Sequence, residues 1–300
     1  MKQTARAGPS AFAIVVSLVL MLVAAACGTS ADDTLGRLRE AGAVRVGIAD
    51  EPPYAYLDDD GELVGSEVAI AMAVFSRLGV DRLEPVSVPF DELIPALEDG
   101  RVDVVVAGMF ITPERCARVA FSNPTYAAPT VLAVPRGNPL GLTRYRDLLE
   151  AGGVVGVLAG SVEVGHAQGV GLPPSAITEF DQPADLIRAL DVGEIDAFAL
   201  TSLAVRSLRA STGDDRFDVT EPFIPVIEGR PAVGAGGFAF RLGDDGLRRA
   251  VDEELARLRV SGELQVLVAP FGLGDREVLA VADLTTSALC QRVTSATDAK

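Results

Sequence analysis

The sequence predicts an α/β protein of two lobes joined by two chain crossings, and three observations carry that expectation. Short apolar runs such as Val102-Asp103-Val104-Val105-Val106 read as buried parallel strands, and they alternate with helical periodicity. The alternation runs through one β-α-β-α-β series and then starts again in a second. Finally, the glycine-rich stretch Gly234 to Phe240 (G-A-G-G-F-A-F) leads back towards helices that close the first series, which makes it a hinge rather than a phosphate loop. Right-handed crossovers then give a parallel sheet in each lobe, and open sheets bind ligands at the carboxyl ends of their strands. A chain of 300 residues, 49% of them apolar, has the length and the core for two such units.

Residues 1–26 read as an export signal outside the fold. Lys2 and Arg6 form a positive start, Ala11 to Ala26 is an apolar run, and Ala24-Ala25-Ala26 leads into Cys27. This end resembles a bacterial lipoprotein signal, in which Cys27 is the lipidated first residue. Position 24 is alanine where leucine is usual, and an ordinary cleaved signal is the alternative. Residues 27–43 hold a flexible tether and a first helix. The expected location is therefore extracytoplasmic, with a lipid anchor through Cys27. No other stretch is long and apolar enough to span a bilayer. The formal charge of −16 becomes −18 once Lys2 and Arg6 are removed, since no acid leaves with them. So acidic a surface argues against a nucleic-acid partner, but a small acidic ligand needs only one local cation. With Cys27 acylated, Cys116 and Cys290 remain, as a disulfide in an oxidising compartment or as two buried thiols.

Taken in order, a helix at 34–40 precedes the first strand, 44–49, which runs into the stiff loop Asp50-Glu51-Pro52-Pro53-Tyr54. After a turn at 58–61, Val68, Ala71, Met72, Phe75 and Leu78 fall at helical spacing, and Gly79 ends the helix. A strand at 83–88 leads to Phe90 and a helix at 91–98. The strand 102–106 follows, then the turn A-G-M-F-I-T, with Pro113 at a first helical position. Just inside that helix, Arg115 can offer its planar fork to a carboxylate. Strand 130–135 is expected to finish this part of lobe 1, set at 44–133 plus 236–285. The segment Arg136-Gly137-Asn138-Pro139 is the expected crossing into lobe 2, 134–235. Lobe 2 reads as strands 154–158, 177–180 and 195–200 with helices 162–168, 184–190 and 202–210. Helices 245–259 and 262–268 close lobe 1, leaving 286–300 as a C-terminal tail.

Several chemistries are set aside. The single histidine, His166, supports neither a histidine metal cluster nor a Ser-His-Asp triad, and it reads as a surface or partly buried helix residue. Asp58-Asp59-Asp60-Gly61 lacks the loop a calcium site needs and reads as a solvated turn. No metal, cofactor or catalytic residue is expected. What remains is a set of strand-end loops bearing Glu51, Tyr54, Phe90, Phe110, Arg115 and Ser161. Each ring alone reads more readily as core. Together they specify a small zwitterion: Arg115 for its carboxylate, Glu51 for a delocalised cation, and three rings to cage that cation.

At this point the chain resembles the solute-binding proteins of ABC importers, in the class that includes polar amino-acid binders. The likeness covers about residues 40–275. It is carried by E-P-P-Y (51–54), L-I-P-A-L-E-D-G-R-V-D (93–103), G-M-F-I-T-P-E-R (108–115) and G-E-I-D-A-F-A-L-T (193–201). The resemblance implies a type II periplasmic-binding-protein fold, a monomer, an ABC permease as partner, and capture of a ligand by lobe closure without chemistry. Amino-acid binders usually carry threonine or serine in place of Phe110 and an aspartate in place of Thr201. A ring gained and a carboxylate lost resemble the ectoine and hydroxyectoine branch instead. By that likeness Glu51 bonds the ring nitrogens, Tyr54, Phe90 and Phe110 form the box, and Arg115 clamps the carboxylate. Ser161, Asp181 or Gln182, and Thr201 are the contacts expected from the second lobe. Cys116 and Cys290 also resemble cysteines of that branch, which favours their bridging. The alternatives are a polar amino-acid receptor and, on the same fold, a dehydratase using Glu51 as acid or base.

Overall fold

A computed structural model describes residues 33–212, 216–227 and 229–291; the expected signal and Cys27 lie outside them. Two five-stranded sheets organise the chain. The first has the strand order Arg82–Ser87, Ala43–Ile48, Val104–Val105, Ala239–Arg241, Val119–Phe121. Its first three strands are parallel, and Ala239–Arg241 runs against its two neighbours. The central strands carry continuous apolar runs because helices cover both faces, and Val44, Val46, Ile48, Val104 and Val105 are fully buried. Pro85 is tolerated in Arg82–Ser87 because that strand is at the sheet edge, where no ladder donor is missed.

The second sheet has the order Ile177–Phe180, Val155–Leu158, Ala197–Thr201, Thr130–Pro135, Phe217–Val219. Thr130–Pro135 pairs antiparallel with Ala197–Thr201, with Thr130 opposite Thr201. This corrects the expected boundary at 133/134: the strand 130–135 belongs to the second lobe. Its apolar run specifies a buried strand but not which sheet receives it. The crossing is consequently earlier than 136–139. The chain leaves the first sheet after Val119–Phe121 through Tyr126–Ala127, and returns through Ala235–Gly236, and these two crossing segments pair antiparallel with each other. Gly137 and Asn138, both with positive φ, make a turn inside lobe 2, where the Asn138 side chain exchanges two hydrogen bonds with Leu142.

Two further expectations change. Met72 is 44% exposed, and Ile70 and Val74 complete the buried stripe of the helix Ser66–Arg77 in its place. The start of the expected tail is tied down: helix Thr286–Cys290 packs on the first lobe, the Thr286 hydroxyl donates to the Ser122 carbonyl at 2.7 Å, and Cys290 is disulfide-bonded to Cys116.

Candidate functional site

The site grows from the turn after Val104–Val105. Gly108 has a φ of 64°, and a Cβ there would come within 2.7 Å of the Tyr54 ring and 3.0 Å of the Tyr126 hydroxyl. Glycine therefore lets two aromatic side chains close over the turn. The rest of the turn is stitched to the returning crossing segment. Ile111 N donates to the Ala235 carbonyl, Gly237 N donates to the Met109 carbonyl, and Phe110 bridges Gly236. Thr112 then caps the four-residue helix Pro113–Cys116, its hydroxyl accepting from Arg115 N at 3.3 Å. The disulfide to Cys290 holds the far end of that helix.

Arg115 is thereby aimed into the space between the lobes. One terminal nitrogen donates to the Phe110 carbonyl at 2.7 Å, and the other to the Gly160 carbonyl of lobe 2 at 2.9 Å. Its guanidinium carbon is 5.4 Å from the centre of the Phe90 ring. Two of its five N–H groups are used in this way, leaving three for a ligand. Gly160, with a φ of 69°, approaches Asp91 so closely that a Cβ would lie 2.9 Å from Asp91 Cα. That approach is what puts its carbonyl within reach of Arg115.

Rings line the rest of the first lobe. Tyr54 stacks on Tyr126 at 4.8 Å, and Tyr126 meets Phe110 at 5.9 Å. The Tyr126 hydroxyl donates to the Gly108 carbonyl at 2.7 Å. The Tyr54 hydroxyl is 2.6 Å from Thr201 Oγ1, a buried hydrogen bond that joins the two lobes. From lobe 2, Leu158, Val162 and Leu200 supply apolar surface, and Ser161, Glu163 and Thr201 supply oxygens.

Charge in this cleft is expensive to leave unpaired. Glu51 is 9% exposed, and burial, then the Glu163 carboxylate, push its pKa up to about 8 against the opposing pull of Arg115. Burial also raises the Glu163 carboxyl, which its own backbone N–H, the nearby Ser161 hydroxyl and Arg115 partly offset. Arg115 is lowered to about 10 by burial, with Glu163, Tyr126, Glu114 and Glu51 acting to retain its charge. His166, one turn along from Glu163, falls to about 4 through burial and the field of Arg115. The cleft thus places one guanidinium and two carboxylates in an apolar, aromatic setting. Among the described residues no group of three or more His, Cys, Asp or Glu is arranged to hold a metal.

Of the residues singled out in the sequence, Glu51, Tyr54, Phe90, Phe110, Arg115, Ser161 and Thr201 come together here. Gln182 does not, and neither does Asp181; both are exposed. Gln182 is the extended residue in front of Pro183, at the N-terminus of helix Pro183–Asp191, and its side chain is left on the surface. Sequence reasoning missed Tyr126 and Glu163. The signal for Glu163 was its place two residues after Ser161 in G-S-V-E. Tyr126 had none, since it reaches the cleft only because its crossing segment pairs with Ala235–Gly236.

The sequence profile of Bacterial extracellular solute-binding proteins, family 3, matches residues 44–273. The chain belongs to that family. A probable amino-acid ABC transporter periplasmic-binding protein of Sinorhizobium fredii is 32% identical over 260 residues, which are 86% of each chain. The L-cystine-binding protein TcyJ of Escherichia coli K12 is 30% identical over 83% of this chain and 91% of its own. Among solved structures, EhuB in complex with hydroxyectoine superposes with a TM-score of 0.79 at 34% identity, covering 86% of this chain and 98% of that one. The two-lobed architecture is that of the type II periplasmic-binding proteins, and this family member is a binding protein and not an enzyme. No helix among the described residues is long and apolar enough to cross a membrane.

Proposed function

We propose that this family member is the extracytoplasmic receptor of an ABC importer for a small cyclic zwitterion of the ectoine and hydroxyectoine kind. It is held at the membrane by a lipid on Cys27 and delivers its ligand, as a monomer, to a membrane permease. The observation that carries the ligand class is the convergence of Arg115 and Glu51 within a wall of aromatic rings, in a cleft where Thr201 supplies a hydroxyl. Arg115 has N–H groups to spare for a carboxylate. Glu51, deprived of water, gains its charge back when an amidinium donates to it. Tyr54, Phe110 and Tyr126 line the cleft where the spread positive charge would lie, while Phe90 lies against the guanidinium. Contacts made to both lobes favour the closed form, which is the whole of the mechanism. The neighbour EhuB, solved with hydroxyectoine, supports this reading.

One observation favours a second reading. Glu163 is a lobe 2 carboxylate in the same cleft, 4% exposed, and it can receive the α-ammonium that Thr201 cannot. On that reading the protein is a polar amino-acid receptor, as the names of the S. fredii and E. coli relatives describe those proteins. Calorimetric titration of a 28–300 protein with ectoine, hydroxyectoine and an amino-acid panel separates the two. Submillimolar binding of the cyclic zwitterions with silence from amino acids is the expected result. Binding of an amino acid alone would overturn it.

A further inference from the structure

Glycines in this chain are of two kinds. Gly137, Gly141 and Gly152 have positive φ and open space where a side chain would stand, so they serve the path of the backbone alone. Gly234 and Gly236, on the returning crossing, are the reverse. Neither has a positive φ, so no backbone torsion demands glycine there, yet each lies directly under an aromatic ring of the cleft. A Cβ on Gly234 would fall on the edge of the Phe110 ring, 2.5 Å from Cζ and closer still to Cε2. Two carbons rest about 3.5–4 Å apart, so ring and side chain cannot share that place. Gly234 itself does not line the cleft; it borders a groove on the other side of the hinge.

The surroundings decide which of the two would give way. Phe110 is fixed at its backbone, which bridges Gly236 and accepts from Arg115 at 2.7 Å. Its ring is 6% exposed, and Tyr126 stands 5.9 Å away, held in turn by its bond to the Gly108 carbonyl. The Ala128 carbonyl, 2.9 Å from the same Cβ, belongs to backbone paired with Gly234 and does not yield in the ring's stead. An added methyl therefore pushes the ring off its rest and towards the cleft that it lines. We propose that Gly234 is a positioning residue that sets ligand selectivity: it is the seat of the Phe110 ring, and its missing side chain is what allows an aromatic residue at 110 to form a wall of the cleft. This rests on the ligand class proposed above and adds to it a residue outside the cleft on which the aromatic wall depends.

The test is a double-mutant cycle on the 28–300 protein with Gly234→Ala, Phe110→Ala and both together, each titrated with hydroxyectoine by calorimetry and thermally unfolded without ligand. Gly234→Ala alone is expected to weaken binding about tenfold or more, as Phe110→Ala does, since both take the ring from its place. In the Phe110→Ala background the same substitution should change affinity by no more than about twofold, because no ring is left to displace. A glycine needed only for hinge motion would cost equal affinity in both backgrounds. That result would overturn the proposal, as would unchanged affinity in Gly234→Ala alone. Ligand-free melting temperatures give the cycle a second time: the substitution should cost more stability with Phe110 present than without it, and additive losses would overturn the seat. Should Gly234→Ala not fold, folding of the double variant supports the seat and failure of both overturns it. A wild-type protein that ignores hydroxyectoine and ectoine overturns the ligand class instead, and the melting cycle then judges the seat by itself.

Discussion

The hydrogen bond between Tyr54 and Thr201 offers a direct probe of lobe closure, because it spans the lobes without touching the fold of either. Tyr54→Phe removes one oxygen and keeps the ring, which remains stacked on Tyr126 at 4.8 Å. In the closed form the substitution loses a buried 2.6 Å bond, and Thr201 keeps its contact with Ala204 N. In an open form the tyrosine hydroxyl would be bonded to water, so nothing is lost there. A buried hydroxyl pair contributes about 1 kcal/mol net, and leaving the Thr201 hydroxyl without this partner adds to the loss, giving about 1–2 kcal/mol against closure. Since a receptor's affinity is reduced by whatever disfavours its binding-competent form, ligand binding should weaken about 5- to 30-fold. The assay is calorimetric titration paired with thermal unfolding of the ligand-free protein. An affinity unchanged within about twofold would show that this bond is no part of the bound state. A ligand-free melting temperature that falls in step with affinity would show instead that the bond is a fixed feature of the fold and does not report closure.

Three further outcomes follow from the same cleft. Arg115→Ala should abolish measurable binding of any carboxylate ligand, since it removes two or more charge-assisted hydrogen bonds worth about 1.5–3 kcal/mol each; retained affinity by calorimetry would remove the clamp from the mechanism. Glu51 gives a pH dependence of known sign: its carboxyl titrates near 4.5 when solvated and is raised to about 8 in the cleft, so the buried form holds a proton the solvated form has released. Its contribution to ligand-free stability is therefore full below about 4.5 and is lost as pH rises through about 8, and Glu51→Gln should flatten thermal unfolding across that window. Glu67, raised to about 7 by burial against the opposing bond from Thr125, leaves a residual slope of the same sign. Cys290→Ser opens a bridge between residues 174 apart in sequence and should cost about 2–4 kcal/mol in chemical denaturation; an unchanged midpoint would show that the bridge does not constrain the unfolded chain.

The first-lobe wall of the candidate cleft was legible in the sequence because its residues sit at 51–54, 90 and 108–115, each shortly after a strand of the first sheet. Strand ends in an open sheet have one place to go, and a local motif therefore carries a tertiary position. Lobe 2 is different. Whether Glu163 faces the cleft or the solvent depends on the phase in which helix Val162–Val170 begins, and a single-residue shift turns it away by about 100°. Gln182 was placed in the site by its nearness to a strand end, yet at the head of helix Pro183–Asp191 its side chain turns outward. The strand Thr130–Pro135 shows a third limit: apolar periodicity encodes burial, while the choice of sheet is made by long-range pairing with Ala197–Thr201.

The same distinction explains why Tyr126 matters more than its sequence surroundings suggest. It lies in one crossing segment, stacks on Tyr54, and donates to the carbonyl of Gly108, the residue that opens the binding turn. The other crossing segment bonds the same turn through Ala235, Gly236 and Gly237. A Cβ at Gly236 would come within 2.3 Å of the Tyr126 ring, so the glycine is required by the approach of the two crossings and not by the ligand. Binding turn and hinge are consequently one hydrogen-bonded unit. On the binding mode proposed above, a ligand held by Arg115 and Phe110 would act on the hinge directly, through backbone bonds, with no relay of side chains between contact and closure.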